Sequence, residues 1–270
     1  MDSRTLLPIV LGAGDIGSAV AHRLKTAGLH PLLIEGPAPL VTRRRMAFGG
    51  AVHEGRAELE GIAGVRCAEA ARALALRSEA GAIPVLVVPG AGLEPALRPD
   101  ALVDARMRKR EQPAAALHLA PLVIGIGPGF TAGLHAHAVI ESDWGEGLGA
   151  VLWQGRAREY TGRHREVGGF GKERYAYAPQ AGRFRTGLAV LDPVRAGQEL
   201  GRVGELPLRA EISGILRGLA HDGVEAAAGA KLAEIDPSGD PARCVGIGER
   251  PARIAQGVLE AIRLRWPDAR

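Results

Sequence analysis

The most constraining feature of the chain is a glycine-rich turn near its start. Gly12, Gly14 and Gly17 follow an apolar run at residues 6–11 and open a segment, residues 18–27, whose apolar side chains have helical spacing. In such a turn the first glycine permits the bend, the second lets the backbone approach a phosphate, and the third lets helix and strand pack closely. The helix N-terminus favours an anion. The residues predicted to hold phosphate are Gly12, Gly14, Asp15, Ile16 and Gly17.

The residues after this helix supply a second group of candidate contacts. An apolar run at 32–34 predicts a buried strand that ends at Glu35. The carboxylate of Glu35 can accept hydrogen bonds from ribose hydroxyls, whereas Arg43 and Arg44 can clamp a phosphate or a carboxylate. The sequence leaves open whether a free hydroxyl or a second phosphate lies at this end of the ligand.

Apolar runs and helical segments alternate as far as about residue 132, which predicts an α/β fold. We expect a Rossmann-like, doubly wound parallel sheet. Because ligands bind at the carboxyl ends of such strands, Asp104 is a candidate acid/base group or arginine partner. A second glycine-rich turn, Gly127, Pro128, Gly129 and Phe130, should line the same crevice. The predicted strands cover residues 6–11, 32–34, 84–88, 101–105 and 122–126, and the predicted helices cover 18–27 and 67–79.

The rest of the chain has the pattern of an all-β module. Short extended runs, separated by Gly, Pro and Asp, predict a second domain at 135–250, after a first domain at 1–134. A C-terminal helix, 251–270, should pack back on the first domain. The module contains an internal repeat at an offset of 32 residues, in which Gly182 matches Gly214 and Phe184 matches Leu216. Two such β-units resemble the barrel-sandwich hybrid of biotinyl and lipoyl domains, but residues 204–209 lack the lysine that carries the cofactor there.

Composition excludes several classes of function. The net charge is only +4 and aromatic residues make up 4% of the chain, too few to stack bases, so no nucleic-acid partner is expected. The two cysteines, Cys67 and Cys244, are too distant for a zinc knuckle or a disulfide framework. We expect no secretion signal, no membrane contact and a cytoplasmic location, because no apolar run reaches about 18 residues.

A metal site and a reaction are both weakly indicated. In an extended segment His135, His137 and Glu141 would share one face, but no fourth ligand is evident, so the sequence predicts no metal and ordinary polar roles for these residues. No Ser-His-Asp order, P-loop lysine or Cys-x-x-Cys pair is present. The turn therefore predicts binding without a reaction, which favours an accessory protein over a turnover enzyme.

Several stretches of the chain, in this order, carry a family resemblance. They are residues 12–17 (GAGDIG), 43–44 (RR), 51–55 (AVHEG), 99–100 (PD), 103–105 (VDA), 123–133 (VIGIGPGFTAG), 137–141 (HAVIE), 214–219 (GILRGL), 235–237 (IDP), 239–240 (GD), Cys244 and 257–262 (GVLEAI). Together they cover nearly the whole chain. With them the chain resembles the YqeB-like family of selenium-dependent molybdenum hydroxylase system proteins.

The resemblance implies a role in maturing molybdenum hydroxylases of the xanthine dehydrogenase kind. Such an accessory protein would hold a molybdopterin-type dinucleotide cofactor while sulfur or selenium is installed. The hydroxylase subunit would be its partner, and Cys244, which matches a family cysteine, would be the candidate sulfur or selenium carrier. An NAD- or NADP-dependent oxidoreductase and a nucleotide-sensing regulator are the alternatives. The sequence leaves the oligomeric state open, a homo-oligomer included.

Overall fold

The chain folds into two compact units, each assembled from separate stretches of sequence. The structure is a computed structural model that describes residues 5–108, 111, 113–162 and 164–268. The first unit comprises Met1–Pro37, Ala47–Thr161 and Ile247–Arg270, and the second comprises Ala38–Met46 and Gly162–Gly246. The outermost parts of the predicted domains, residues 1–4 and 269–270, lie outside the described residues.

The first unit is an α/β structure around one large mixed sheet. Within the described residues this sheet has nine strands in the order β10-β9-β7-β6-β1-β2-β5-β4-β3. Neighbours from β9 to β4 are parallel, and the outermost strand at each end, β10 and β3, is antiparallel to its neighbour. The elements are β1 (Pro8–Leu11), α1 (Asp15–Thr26), β2 (Leu32–Glu35), α2 (Ala51–Glu54), β3 (Arg56–Leu59), β4 (Ile62–Cys67), α3 (Ala70–Leu76), β5 (Ala82–Val87), β6 (Ala101–Asp104), β7 (Leu122–Ile126), β8 (Thr131–Ala132), β9 (Ala138–Ile140), β10 (Val151–Leu152), β11 (Gly155–Arg156) and α4 (Glu249–Arg265).

Burial on both faces explains why the parallel strands are continuous apolar runs. All residues of β1, β7 and β9 are buried, as expected for a sheet covered on two sides. One face packs on α1 and α4, whose apolar sides supply Val20, Leu24, Val258 and Ile262 to the core. The α1–α4 contact also includes a hydrogen bond of 2.9 Å from Arg23 Nε to Gln256 Oε1. None of the helices among the described residues combines the length and the apolar character that a bilayer crossing requires.

The second unit is built from two antiparallel sheets. Within the described residues each has four strands, in the orders β12-β19-β17-β14 and β16-β15-β13-β18. Their apolar faces form one core that includes Phe184, Leu216 and Ile235. The strands are β12 (Tyr175–Tyr177), β13 (Gly182–Arg185), β14 (Pro193–Val194), β15 (Glu199–Val203), β16 (Leu206–Arg209), β17 (Gly214–Leu219), β18 (Glu225–Ala226) and β19 (Lys231–Asp236).

The 32-residue repeat is visible in the pairing of these strands. Phe184 pairs with Val203 in one sheet, and the residues 32 positions later, Leu216 and Ile235, pair in the other. The short strands β14 and β18 occupy reciprocal positions, because β14 pairs with β17 of the second repeat and β18 pairs with β13 of the first. Each half therefore lends one short strand to the sheet of the other.

The structure differs from two of the sequence predictions. The boundary after residue 134 lies elsewhere, because β9 pairs in parallel with β7 and keeps residues 135–161 in the first unit, while residues 38–46 fold with the second. The helix predicted over 67–79 is only Ala70–Leu76, since Cys67 ends β4, the second strand of a hairpin with β3.

Candidate functional site

The three glycines of the turn between β1 and α1 have different structural reasons to be glycine. Gly12 has a φ of +94° and its added Cβ would lie 3.1 Å from the Cα of Arg106. A Cβ on Gly17 would lie 1.8 Å from the carbonyl oxygen of Gly12. Gly14, by contrast, has an ordinary φ of −68° and open space where its Cβ would be. The fold therefore requires glycine at two of these positions and leaves the third facing open space at the N-terminus of α1.

The turn is held in place by buried hydrogen bonds. The hydroxyl of Ser18 donates to the carbonyl of Ala13 at 3.0 Å and accepts from the amide of Phe48 at 2.7 Å. The amide of Ile16 donates to the carboxylate of Asp15. These contacts fix the backbone at the start of α1, where the helix dipole favours negative charge.

Glu35 contacts the glycine turn directly. One oxygen of its carboxylate accepts from the amide of Ala13 and the other from its neighbour, the amide of Gly36, both at 2.7 Å. Both oxygens are thereby oriented at the end of β2, beside the turn. The carboxylate retains further acceptor capacity, because each oxygen has two lone pairs.

Asp104 and Arg106 form an ion pair at the end of β6, next to the turn. Asp104 Oδ1 accepts from the amide of Arg106 at 3.1 Å and from its Nε at 2.9 Å, and the second oxygen contacts the NH2 group. Hydrogen bonding to Asp104 raises the pKa of Arg106 against the opposing effect of burial. The sequence allows Asp104 to be an acid/base group or the partner of an arginine, and in the structure its carboxylate is paired with Arg106.

The second glycine-rich turn follows β7. Because β6 lies between β7 and β1 in the sheet, the loop after β6 separates this turn from the turn after β1. A Cβ on Gly127 would lie 2.6 Å from Ser142 Oγ and 3.4 Å from the side chain of Met107. Pro128 and Gly129 are partly or fully exposed. Phe130 is buried, and its ring packs over Gly125, where it leaves no room for a Cβ. This packing gives Phe130 a structural role, and its contact with a ligand stays a prediction.

The three weak metal candidates serve separate local contacts. His135 accepts a hydrogen bond from the amide of Thr131 at 3.0 Å, and His137 accepts one from the amide of Val123 at 2.9 Å, each through Nδ1. The buried carboxylate of Glu141 accepts from three backbone amides, those of Ser142, Asp143 and Arg158. No group of three or more His, Cys, Asp and Glu side chains in the described part of the chain is placed to hold a metal ion.

Arg43 and Arg44, predicted to contact the far end of a cofactor, belong to the second unit. Arg43 makes a two-pronged ion pair with the buried Glu234, at 2.9 Å from Nε and 2.8 Å from NH2. Arg44 donates from Nε to the carbonyl of Leu219 at 2.9 Å. Their guanidinium groups thus contact β19 and β17 of the second unit, and their contact with a cofactor stays a prediction.

Cys244 is poorly suited to the role of a sulfur carrier. It is fully buried at the end of a short 3-10 helix, Pro241–Cys244. Burial, together with the charge of Asp236, raises the pKa of its thiol to about 11. Because the thiolate is the reactive form, this environment does not favour Cys244 as a catalytic residue, and its role as a sulfur or selenium carrier stays a prediction. Cys67 is also buried, and burial raises its pKa.

Arg106 is the site residue that the sequence reasoning missed. Its backbone lies against Gly12 of the turn, and its guanidinium group is paired with Asp104. The signal was present, since Arg106 stands two residues after Asp104 at a predicted strand end. What the sequence could not reveal was the adjacency of β6 to β1, which joins residues about 90 positions apart.

Comparison with known proteins identifies a family. Over 256 residues the chain is 38% identical to a curated protein of Escherichia coli (strain K12), Uncharacterized protein YqeB, and the match covers 95% of this chain. The chain belongs to the YqeB-like proteins. It spans about half of that relative, 47% of its length. No protein-family model matches the chain.

Similarities to solved structures are weak. They include a succinylglutamatedesuccinylase/aspartoacylase from Rhodobacter sphaeroides (25% identity, 27% of this chain and 23% of that chain, TM-score 0.23), the ectoine utilization protein EutE (DoeB) from Ruegeria pomeroyi (14%, 51% and 58%, 0.23) and an aspartoacylase family protein from Mesorhizobium loti (11%, 80% and 59%, 0.25). TM-scores this low support no argument about the fold or the activity of the YqeB-like chain.

Proposed function

We propose that the first unit binds the phosphates of a nucleotide-type cofactor at the N-terminus of α1. The observation that carries the proposal is the open space at Gly14, between two glycines that the fold itself requires. A Cβ at Gly14 would meet no protein atom, so glycine there serves the close approach of something else. Backbone amides at a helix N-terminus suit an anion, and a phosphate is the common choice.

The strand order supports a Rossmann-like interpretation of this unit. From β1 the chain continues to β2 on one side and reaches β6 on the other. Loops that leave neighbouring strands in opposite directions open a crevice at the carboxyl ends of the sheet, where such folds bind dinucleotides. The turn after β1 and the loop after β6 flank this crevice, and Gly12 packs on Arg106 there.

The charged groups around the turn favour a ligand with free ribose hydroxyls. Glu35 is oriented by two backbone amides, and its remaining lone pairs can accept from a hydroxyl pair, whereas they would repel a phosphate. Arg106, next to Gly12 in space, is paired with Asp104, so the carboxylate at the end of β6 is compensated. The proposal therefore places a free hydroxyl, and not a second phosphate, at the end of the ligand that lies near Glu35.

The second unit supports an accessory role. Its two repeats, each lending a short strand to the other, resemble a barrel-sandwich hybrid. The hairpin between β15 and β16 carries no lysine, so a swinging-arm carrier is not part of the proposal.

Within this framework we infer a role in molybdenum hydroxylase maturation from the YqeB-like family. The cofactor would be a molybdopterin-type dinucleotide, held without turnover. The partner would be a xanthine dehydrogenase-like subunit, and a cytoplasmic location belongs to the same proposal. The turn fits such a cofactor through its phosphates, at Gly14 and the start of α1. Aid in installing sulfur or selenium belongs to the proposal through Cys244 only if this buried thiol, whose pKa burial raises to about 11, becomes accessible.

The test is mass spectrometry of small molecules released when the freshly purified protein is denatured. Gly14→Ala is compared with Gly187→Ala, since Gly187 also has open space at its Cβ and lies in the other unit. A pterin dinucleotide released by the wild type and by Gly187→Ala, and lost from Gly14→Ala, supports the proposal. Release of NAD or NADP instead supports the oxidoreductase alternative. A ligand retained in full by Gly14→Ala contradicts the site.

A further inference from the structure

The second unit contains a group of cations around two buried carboxylates, which we call the basic cluster. Glu234 and Asp236 of β19 are both fully buried. Five cationic side chains approach them, each within 4 Å of a carboxylate oxygen. The members of the basic cluster are Arg43, Arg174, Arg217, Lys231, Arg243, Glu234 and Asp236.

Glu234 is well satisfied by two of the arginines. Arg43 contacts both of its oxygens at 2.8 and 2.9 Å, and the almost fully buried Arg174 contacts one of them at 3.0 Å. These are ordinary distances for charge-assisted hydrogen bonds. Glu234 and its two arginines therefore form a complete structural group.

Asp236 is shared loosely by the other two arginines. One of its oxygens accepts from both the amide and the hydroxyl of Ser238, at 2.9 and 2.5 Å. The other oxygen lies 3.4 Å from Arg217 NH1 and 3.7 Å from Arg243 Nε. The buried Nε of Arg217 lies 3.7 Å from Glu234 Oε1, an ion-pair distance, and makes no hydrogen bond within the described residues. Both arginines thus meet Asp236 only at 3.4 Å or more, and each guanidinium group carries five N–H donors, which leaves donors for a further acceptor.

The internal repeat shows that the fold does not need this arrangement. The residues 32 positions before Glu234 and Asp236 are Arg202 and Gly204, so the first repeat folds without buried carboxylates at these places. The counterpart of Arg217 is Arg185, which is exposed and makes a 3.0 Å ion pair with Asp222. The basic cluster is thus an addition to one half of a symmetric framework, and the looser contacts of Arg217 and Arg243 with Asp236 have no counterpart in the first repeat.

We propose that Arg217 and Arg243 form a binding site for a small oxyanion, a phosphate or a carboxylate. Guanidinium groups present paired donors whose geometry matches the oxygens of both anions. Arg243 is 45% exposed, which opens the site to solvent, while Arg217 is 16% exposed and forms its inner wall. Lys231, 34% exposed, adds positive charge nearby. The site lies wholly in the second unit and does not depend on the glycine turn.

The test is thermal unfolding of the full chain at increasing concentrations of inorganic phosphate or citrate, with sodium chloride adjusted to keep the ionic strength constant. A ligand that binds only the native state raises the unfolding temperature with a saturable dependence on its concentration. The variants are Arg243→Met, at the solvent side, and Arg217→Met. The matched control is Arg185→Met, which removes the counterpart arginine of the first repeat.

The proposal predicts a saturable rise for at least one of the two anions, and the anion that causes it identifies the ligand chemistry. Arg243→Met should shift the half-saturating concentration upward by about tenfold, as expected for the loss of a charge-assisted hydrogen bond, and Arg185→Met should leave it unchanged. If Arg217→Met does not fold, Arg243→Met decides alone. Absence of a saturable rise, an unchanged midpoint in Arg243→Met, or loss of the response in Gly14→Ala instead would overturn the proposal.

Discussion

The amide of Ala13 donates a 2.7 Å hydrogen bond to the carboxylate of Glu35 and so joins the turn after β1 to the end of β2. The other oxygen of Glu35 accepts from the amide of Gly36 at the same distance. Two neighbouring strand ends are thereby fixed by one side chain. Glu35, which the sequence pattern predicts to lie near a ribose, therefore also holds the glycine turn in place.

Replacing Glu35 by glutamine should weaken this brace. A glutamine has one carbonyl oxygen, so one of the two backbone amides loses its acceptor, at a cost of about 1–2 kcal/mol in the free energy of unfolding. Urea denaturation measures the change. Glu58→Gln, at an exposed position of β3, is the control, and a loss no larger in Glu35→Gln than in this control would show that the brace is unimportant.

Alanine substitutions should separate the structural glycines from Gly14. In Gly17→Ala the new methyl group would meet the carbonyl of Gly12, so the turn must shift and the protein should lose at least about 2 kcal/mol of stability. Gly14→Ala should cost no more than about 1 kcal/mol, because the position is open and only the helix cap weakens. Denaturant unfolding of both variants decides the matter. Equal losses would contradict the distinct role assigned to Gly14.

Acid should destabilise the second unit through Glu234. Burial opposes ionisation of this carboxyl, but the charges of Arg43 and Lys231 outweigh burial and hold its pKa well below the ordinary range. A depressed folded pKa means that the stabilisation is present above the unfolded value of about 4.3 and is lost as the pH falls toward the folded pKa. Stability measured by urea between pH 3 and pH 7 should therefore fall steeply below about pH 4.3.

Glu234→Gln tests this assignment. At pH 7 the variant should lose about 3–5 kcal/mol, because Arg43 and Arg174 are left without their counter-charge, and its stability should depend less on pH in the acid range. Glu225→Gln removes an exposed partner of Arg183 and should change little. An acid slope identical in the wild type and in Glu234→Gln would contradict the account.

Both cysteines should be slow to react in the native protein. With a pKa of about 11, only about one Cys244 thiol in a thousand is ionised at pH 8, and burial further blocks access. Labelling with a chromogenic disulfide should therefore proceed at the rate of protein opening and become fast in denaturant. Rapid native labelling of Cys244, assigned by mass spectrometry of the peptides, would restore it as a candidate sulfur carrier.

Local patterns in the sequence were sufficient to predict the central strands. Predicted runs at residues 84–88, 101–105 and 122–126 match β5, β6 and β7 to within about two residues at either end, because a strand buried on both faces is a short apolar run. The helix predicted over 67–79 misplaced Cys67, which ends β4. The residues after Cys67 have helical spacing, and the predicted helix therefore begins too early, at the last residue of the β3–β4 hairpin.

Contacts between residues far apart in the chain could not be predicted from local sequence patterns. β9 has only three residues, Ala138–Ile140, and nothing local shows that it pairs with β7 and not within the β module. Arg43 lies eight residues after Glu35, yet its carboxylate partner, Glu234, is 191 positions away. The sequence predicts the three glycines of the turn as one motif, and only the fold distinguishes the two that must be glycine from the one that need not be.

The most direct test of the account is a calorimetric titration with inorganic pyrophosphate, the group that NAD, NADP and pterin dinucleotides share. The titration uses three proteins, all with Arg243→Met, which weakens the proposed oxyanion site of the second unit. The parent carries this substitution alone, and the other two add Gly14→Ala or Gly187→Ala. The account predicts saturable binding to the parent and to Gly187→Ala, and binding at least about tenfold weaker to Gly14→Ala, since its methyl group fills the space next to the helix N-terminus. Equal affinity in all three proteins, or no binding to the parent, would contradict it.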